Sequence, residues 1–183
     1  MKNNTLRLNK TMYTARRHHE NMALIPASAE ELFAYIDDHT RFSSHMSQSS
    51  WMMGGGRMDV SVDEGRGQRV GSHIRLRGTA FGIQLYLDEV VTRHEPPHLK
   101  EWETVGDLRL LVVGHYGMGI EIEPRGGTSL LRVYIDYGLP EKNAWLGRLF
   151  GRMYAKWCVG QMIKGAGGQF KEKSVAGRQV ETG

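Results

Sequence analysis

Between Met58 and Tyr137 the chain repeats one pattern: apolar residues at every second position, broken at short intervals by glycine or proline turns. Met58, Val60 and Val62 alternate with polar residues up to Glu64-Gly-Arg-Gly67. Val70, Ser72, Ile74 and Leu76 then oppose Arg69, His73, Arg75 and Arg77. Phe81, Ile83, Leu85 and Leu87 alternate with Gly82, Gln84, Tyr86 and Asp88. A short strand forms around Trp102 after Pro96-Pro97, with a turn at Gly106-Asp107. Leu110, Val112, Gly114, Tyr116, Met118, Ile120 and Ile122 form the longest run, and Leu131, Val133, Ile135 and Tyr137 the last. Period two in short runs predicts an antiparallel meander with one wet face and one buried face.

Helical patterns flank these runs. Ser28-Ala-Glu-Glu31 matches a capping box, in which the serine hydroxyl and the glutamate carboxylate satisfy orphan amides. It opens a short helix carrying Leu32, Phe33 and Ile36 that ends near Asp37-Asp38, and a strand from about Met12 to Leu24 precedes it. After Pro140, residues 143–170 predict one long helix despite the poor helix propensity of Gly147, Gly151 and Gly160. At about 100° per residue, Leu146, Phe150, Met153 and Trp157 share a stripe, expected to pack. Arg148, Arg152 and Lys156 share a second stripe, facing water. Gly147, Gly151, Ala155 and Cys158 form a third, made of small residues. That small stripe has two readings: close approach of a neighbouring backbone, or the wall of an internal cavity.

Several function classes are excluded by composition and charge. One cysteine, Cys158, forbids an intrachain disulfide and fits a reducing compartment. The N-terminus has no continuous apolar core of a secretory signal, and no run approaches the ~18 apolar residues of a membrane span. A cytoplasmic protein is expected. The net charge of +4 is carried by the ends: residues 1–19 hold five Lys/Arg and no acid, residues 164–183 four against two, and the body 15 against 18. A nucleic-acid partner needs a basic face on the folded domain, so none is expected.

His94-Glu-Pro-Pro-His98 has the letters of a zinc-protease motif, but two central prolines forbid the helix that motif requires. A turn is predicted, with no metal and no cofactor. His18 and His19 point to opposite faces of a strand, His39 and His45 lack a third ligand, and His73 and His115 fall on outward phases. Glu101, Glu103, Glu121 and Asp136 also fall outward. No catalytic residue is therefore assigned, and an enzyme is the weaker reading.

A strand, a capped helix after IPAS, a six-strand meander and one long C-terminal helix together resemble the START-like, or SRPBCC, superfamily. Its polyketide cyclase/dehydrase and lipid-transport branch is the most similar. The likeness is carried by NMALIPASAEELFAYIDD (21–38), by VVTRHEPPHLKEW (90–102) and by the terminal helix. It implies an α+β helix-grip fold, a curved antiparallel sheet wrapped around the C-terminal helix. The domain would span 13–170, with flexible tails at 1–12 and 171–183. The resemblance also favours the cavity reading of the small stripe and implies an apolar small molecule as ligand, with transient contact at a membrane surface.

On the inward phase, the cavity would be lined by Ser72, Ile74, Leu76, Phe81, Ile83 and Leu85 from the first strands. Trp102, Thr104, Val112, Tyr116 and Met118 would join from the middle, and Val133 and Tyr137 from the last strand. Gly151, Ala155 and Cys158 would close it from the helix. In the connection before Met58, Trp51 and Met53 beside Gly54-Gly-Gly56 predict an adaptable lid. Three functions fit: carriage or sequestration of a lipid, isoprenoid or polyketide; a polyketide cyclase or dehydratase; and an interaction module with a closed core.

Overall fold

The computed structural model describes residues 16–38 and 56–180, with side chains up to Lys171. The expectations for the 1–12 tail, for His39 and His45, and for Trp51 and Met53 as a lid concern positions outside the described residues. The described residues form one sheet of seven strands, in the order β1-β7-β6-β5-β4-β3-β2, antiparallel throughout. The strands are β1 (Arg17–Ile25), β2 (Met58–Val62), β3 (His73–Ala80), β4 (Ile83–Glu95), β5 (Leu99–Arg109), β6 (Tyr116–Arg125) and β7 (Thr128–Tyr137). Helix α1 (Ala29–Asp37) follows β1, and α2 (Ala144–Val180) follows β7. This is the expected helix-grip α+β architecture, with α2 continuing past Phe170, where the sequence pattern had placed its end.

Local chemistry accounts for most boundaries. The capping box is formed: the Glu31 amide donates to Ser28 Oγ at 3.2 Å, and the Ser28 amide donates to the Glu31 carboxylate at 3.2 Å. Leu32, Phe33 and Ile36 are buried against the sheet. The β3–β4 hairpin turns at Phe81 (φ 51°) and Gly82 (φ 74°), two positive values in succession, as a primed two-residue turn requires. Phe81 is therefore a turn residue, not a strand residue. The predicted turn at Gly106-Asp107 lies inside β5 instead. Gly106 takes φ 63° where the β4–β5 register shifts between Tyr86 and Asp88, so the glycine supports a bulge rather than a reversal. The chain reverses at 110–115, and the long run expected over Leu110–Ile122 is split there.

The large apolar stripe of α2 is arranged against expectation, while Arg148, Arg152 and Lys156 face water as expected. Gly147, Gly151, Ala155, Cys158 and Val159 face the core, while Phe150 and Met153 are exposed and Leu146 and Trp157 are half-buried. The cause is a close approach. A Cβ on Gly147 would sit 2.5 Å from Pro140 Cδ and 3.0 Å from the Val112 carbonyl oxygen. A Cβ on Gly151 would sit 3.0 Å from the same oxygen and 3.3 Å from the Tyr137 ring. The cavity assignment of Gly151 is corrected accordingly: this part of the small stripe admits a neighbouring backbone. Gly160 is different, with open space where a Cβ would go.

Three substitutions check this contrast by urea or thermal unfolding. Gly160→Ala should stabilise by about 0.5–1 kcal/mol through helix propensity alone. Gly147→Ala should destabilise despite the same propensity gain, and Gly151→Leu should overpack at a cost of typically ~1–3 kcal/mol.

Candidate functional site

The buried side chains fall into two apolar clusters. One joins α1, α2 and the strands β1, β5, β6 and β7; the other is built on β2, β3 and β4. Leu110, Tyr116 and Trp157 pack against both, and all three are only half-buried. The main sheet contacts of α2 are with β1 and β7, so the β2–β4 half of the sheet belongs to the second cluster rather than to the helix.

A row of polar groups crosses the concave face where the clusters meet. On β4, Leu85, Leu87, Glu89 and Val91 all point inward, which leaves Glu89 only 3 % exposed. Its carboxylate accepts hydrogen bonds from the Tyr116 hydroxyl and from the Trp102 side chain. Burial pushes the Glu89 carboxyl up to about 7, against the opposing effect of those two donors. The Tyr116 hydroxyl is raised well above the ordinary tyrosine value, first by burial and then by the Glu89 charge. From α2, Cys158 is pushed up to about 12 by the same two causes, and the Tyr154 hydroxyl is likewise raised.

On β5 the inward row is Lys100, Trp102 and Thr104. Lys100 is fully buried and donates to the Asp37 carboxylate at 2.8 Å and to the Asp37 carbonyl at 3.2 Å. Its ammonium thus caps the C-terminal end of α1, where a cation is favoured. His94 joins the same carboxylate at 2.9 Å. Desolvation lowers the Lys100 pKa, partly countered by the bond to Asp37. At the other end of the row, Thr104 Oγ1 accepts from the Tyr116 amide at 3.0 Å and donates to its carbonyl at 3.2 Å, with His115 Nδ1 at 3.1 Å.

These observations sort the expected lining. Ile74, Leu76, Leu85, Trp102, Met118, Val133, Tyr137, Ala155 and Cys158 are buried, and Val112 and Tyr116 are half-buried. Ser72 is buried, but its hydroxyl donates to the Asp63 carboxylate and accepts from the Gly67 amide, so it serves the β2–β3 turn. Phe81 is 63 % exposed and Ile83 is exposed at the hairpin, which removes both from an interior lining. The HEPPH segment is the β4–β5 turn; His94 turns to Asp37 and His98 to the Ile122 carbonyl. Among the described residues no three His, Cys, Asp or Glu side chains converge as a metal site would need.

Glu89 and Lys100 were missed by sequence reasoning. Their signal was present: Glu89 follows Leu85 and Leu87 by steps of two, and Lys100 precedes Trp102 by one such step. Glu101, Glu103, Glu121 and Asp136 do face outward. There Arg132 bridges Glu20 and Glu121, and Tyr134 donates to Glu101. A groove of about 470 Å³ opens on that outer face beside Met22, Arg93, His98 and Arg132. Its cations are already engaged by neighbouring carboxylates, unlike a site built for an apolar guest.

A family model described as polyketide cyclase / dehydrase and lipid transport matches residues 17–174. The chain belongs to this family. Similar solved structures include norcoclaurine synthase from Thalictrum flavum in complex with dopamine and hydroxybenzaldehyde. That match has 13 % identity and TM-score 0.63, and covers 87 % of this chain and 89 % of the other. The Zhui aromatase/cyclase from Streptomyces sp. R1128 is similar at 12 % identity, TM-score 0.63 and 87 % and 96 % coverage. Ara h 8.0201 is similar at 13 % identity, TM-score 0.62 and 86 % and 99 % coverage. At such identities the structures share the fold alone. A search of curated proteins finds no matching sequence.

Glu89 makes stability depend on pH. Its folded pKa lies above the ordinary glutamate value of 4.5, so the folded state holds this proton more tightly than the unfolded chain. The stability it contributes is complete below 4.5, falls as the unfolded chain ionises, and is gone above about 7. The loss is about 3 kcal/mol, at roughly 1.4 kcal/mol per pH unit. Glu89→Gln should flatten that dependence, raising Tm relative to the parent more at pH 8 than at pH 5 in thermal melts.

Proposed function

We propose that this protein binds an apolar small molecule between the concave sheet and α2, for carriage or sequestration. The observation that carries the reading is the junction of the two apolar clusters. Side chains that lie between two cores yet keep solvent exposure, as Leu110, Tyr116 and Trp157 do, border space rather than packed atoms. An interior of Ile, Leu, Val and Met, with the Glu89–Tyr116 pair at its centre, suits a largely hydrophobic guest carrying one polar group. The guest's polar group would be a hydroxyl or a carbonyl, met by Glu89 or Tyr116. Family membership and a neighbour holding two small aromatic molecules support the same reading.

Protein purified from cells should carry an apolar molecule visible by native mass spectrometry, or take up a fluorescent fatty acid in a saturable 1:1 manner. Cys158 faces this junction from α2, so Cys158→Phe should lower probe affinity about tenfold, within the range of a few kcal/mol for inserted bulk. Absence of both a co-purifying molecule and probe uptake would leave a closed interaction module.

A second reading, acid–base chemistry of the cyclase or dehydratase kind, is favoured by Glu89 specifically. A carboxyl titrating near 7 in a dry site is tuned for proton transfer at neutral pH. If it acts so, the protein should catalyse exchange of the acidic C–H hydrogens of a bound 1,3-dicarbonyl with deuterated water. Glu89→Gln should abolish the exchange while binding persists. Exchange at the uncatalysed rate in the parent protein would remove this reading and leave the binding one intact.

A further inference from the structure

The first turns of α2 present an apolar face that no described residue covers. Trp145 is 62 % exposed and Leu149 65 %, and Met153 continues the stripe one turn further on, with Phe150 beside it. Large apolar side chains in a contiguous stripe mark a surface that something covers. The cations around them are one-sided. Residues 142–171 contain six Lys/Arg and no Asp or Glu, and Arg148, Arg152 and Lys156 all point to solvent.

Antiparallel order fixes where this face sits. The β3–β4 hairpin with exposed Phe81, the β5–β6 connection carrying Leu110, and the start of α2 after β7 all lie at one end of the sheet. The half-buried Trp157 continues α2 from that face toward the junction of the two clusters.

We propose that the exposed face of α2 around Trp145, Leu149 and Met153 docks on the surface of an anionic lipid bilayer. A bilayer interface satisfies both halves of the observation. The tryptophan and aliphatic groups enter the boundary of the acyl chains, and the long cationic side chains reach the headgroups. A second copy of this chain fits less well, because a two-fold contact through this stripe would set Arg148 and Arg152 against their own equivalents. The helix lies on the membrane and does not cross it: no helix among the described residues is long and apolar enough to span one. Docked so, the end of the sheet bearing Leu110 faces the bilayer. An apolar guest could then pass inward without crossing water.

The test uses the full chain with large unilamellar vesicles, of phosphatidylcholine alone or mixed with phosphatidylglycerol, in flotation assays. Binding should require phosphatidylglycerol and weaken as salt is raised. Arg148→Gln and Arg152→Gln should each weaken it about fivefold, the equivalent of about 1 kcal/mol per cation. Trp145→Ser with Leu149→Ser should reduce it at least tenfold, with Tm and fatty-acid probe binding unchanged, since these side chains are exposed. The proposal would be overturned by no vesicle binding by the folded parent, by equal binding to both vesicle types, or by binding indifferent to the Trp145/Leu149 double variant. A concentration-dependent dimer seen by light scattering and abolished by the same double variant would assign the face to a second copy instead.

Discussion

The approach of α2 to the Val112 carbonyl governs the arrangement of the whole molecule. Gly147 and Gly151 let the helix backbone come within reach of a loop carbonyl and the Tyr137 ring; a Cβ at Gly147 would clash with Pro140, and one at Gly151 would fit only if its neighbours gave way. Once that flank is seated, the rotation of the helix is fixed. Ala155, Cys158, Val159, Met162 and Ala166 face the core, and Trp145, Leu149 and Met153 are turned outward. A helix with larger residues on the seated flank would stand off the sheet or roll, and would bury a different face. The glycines cost helix propensity and fix the orientation of α2 in return.

The same seating leaves the interior polar in a controlled way. Lys100 is wholly buried because it terminates α1 through Asp37, and removing either partner would strand a charge in the core. Glu89 lies further along the concave face, where its donors include a tyrosine and a tryptophan. Neutral donors offset desolvation less than an ion pair does. The Glu89 carboxyl is therefore pushed up to about 7. Asp37 anchors Lys100 at the end of α1, whereas Glu89 ties β4 to β5 and β6 through Trp102 and Tyr116.

Much of the fold is legible in the residue order. The capping box at Ser28, most of the period-two runs and the proline-broken HEPPH turn each have a local cause and appear where the pattern placed them, whereas the run over Leu110–Ile122 is split by the reversal at 110–115. Boundaries failed where a single residue has two roles. Gly106 makes a bulge rather than a reversal, and Phe81 adopts a positive φ because the hairpin needs it. Less of the candidate site was legible. Alternation through Leu85 and Leu87 already points Glu89 inward, but a charged residue on an inward phase reads as the end of a strand until its donors are known.

The sequence by itself determined most of the elements, the antiparallel meander and the buried phase of its strands, because helix caps, turns and alternation depend on neighbours within a few residues. Tertiary structure decided which flank of α2 is buried, and it decided the ionisation of Glu89. Both depend on groups brought together from far along the chain: Val112 and Tyr137 against Gly151, and Trp102 and Tyr116 against Glu89. Steric fit and desolvation act at contact distance, and those contacts exist only in the folded chain.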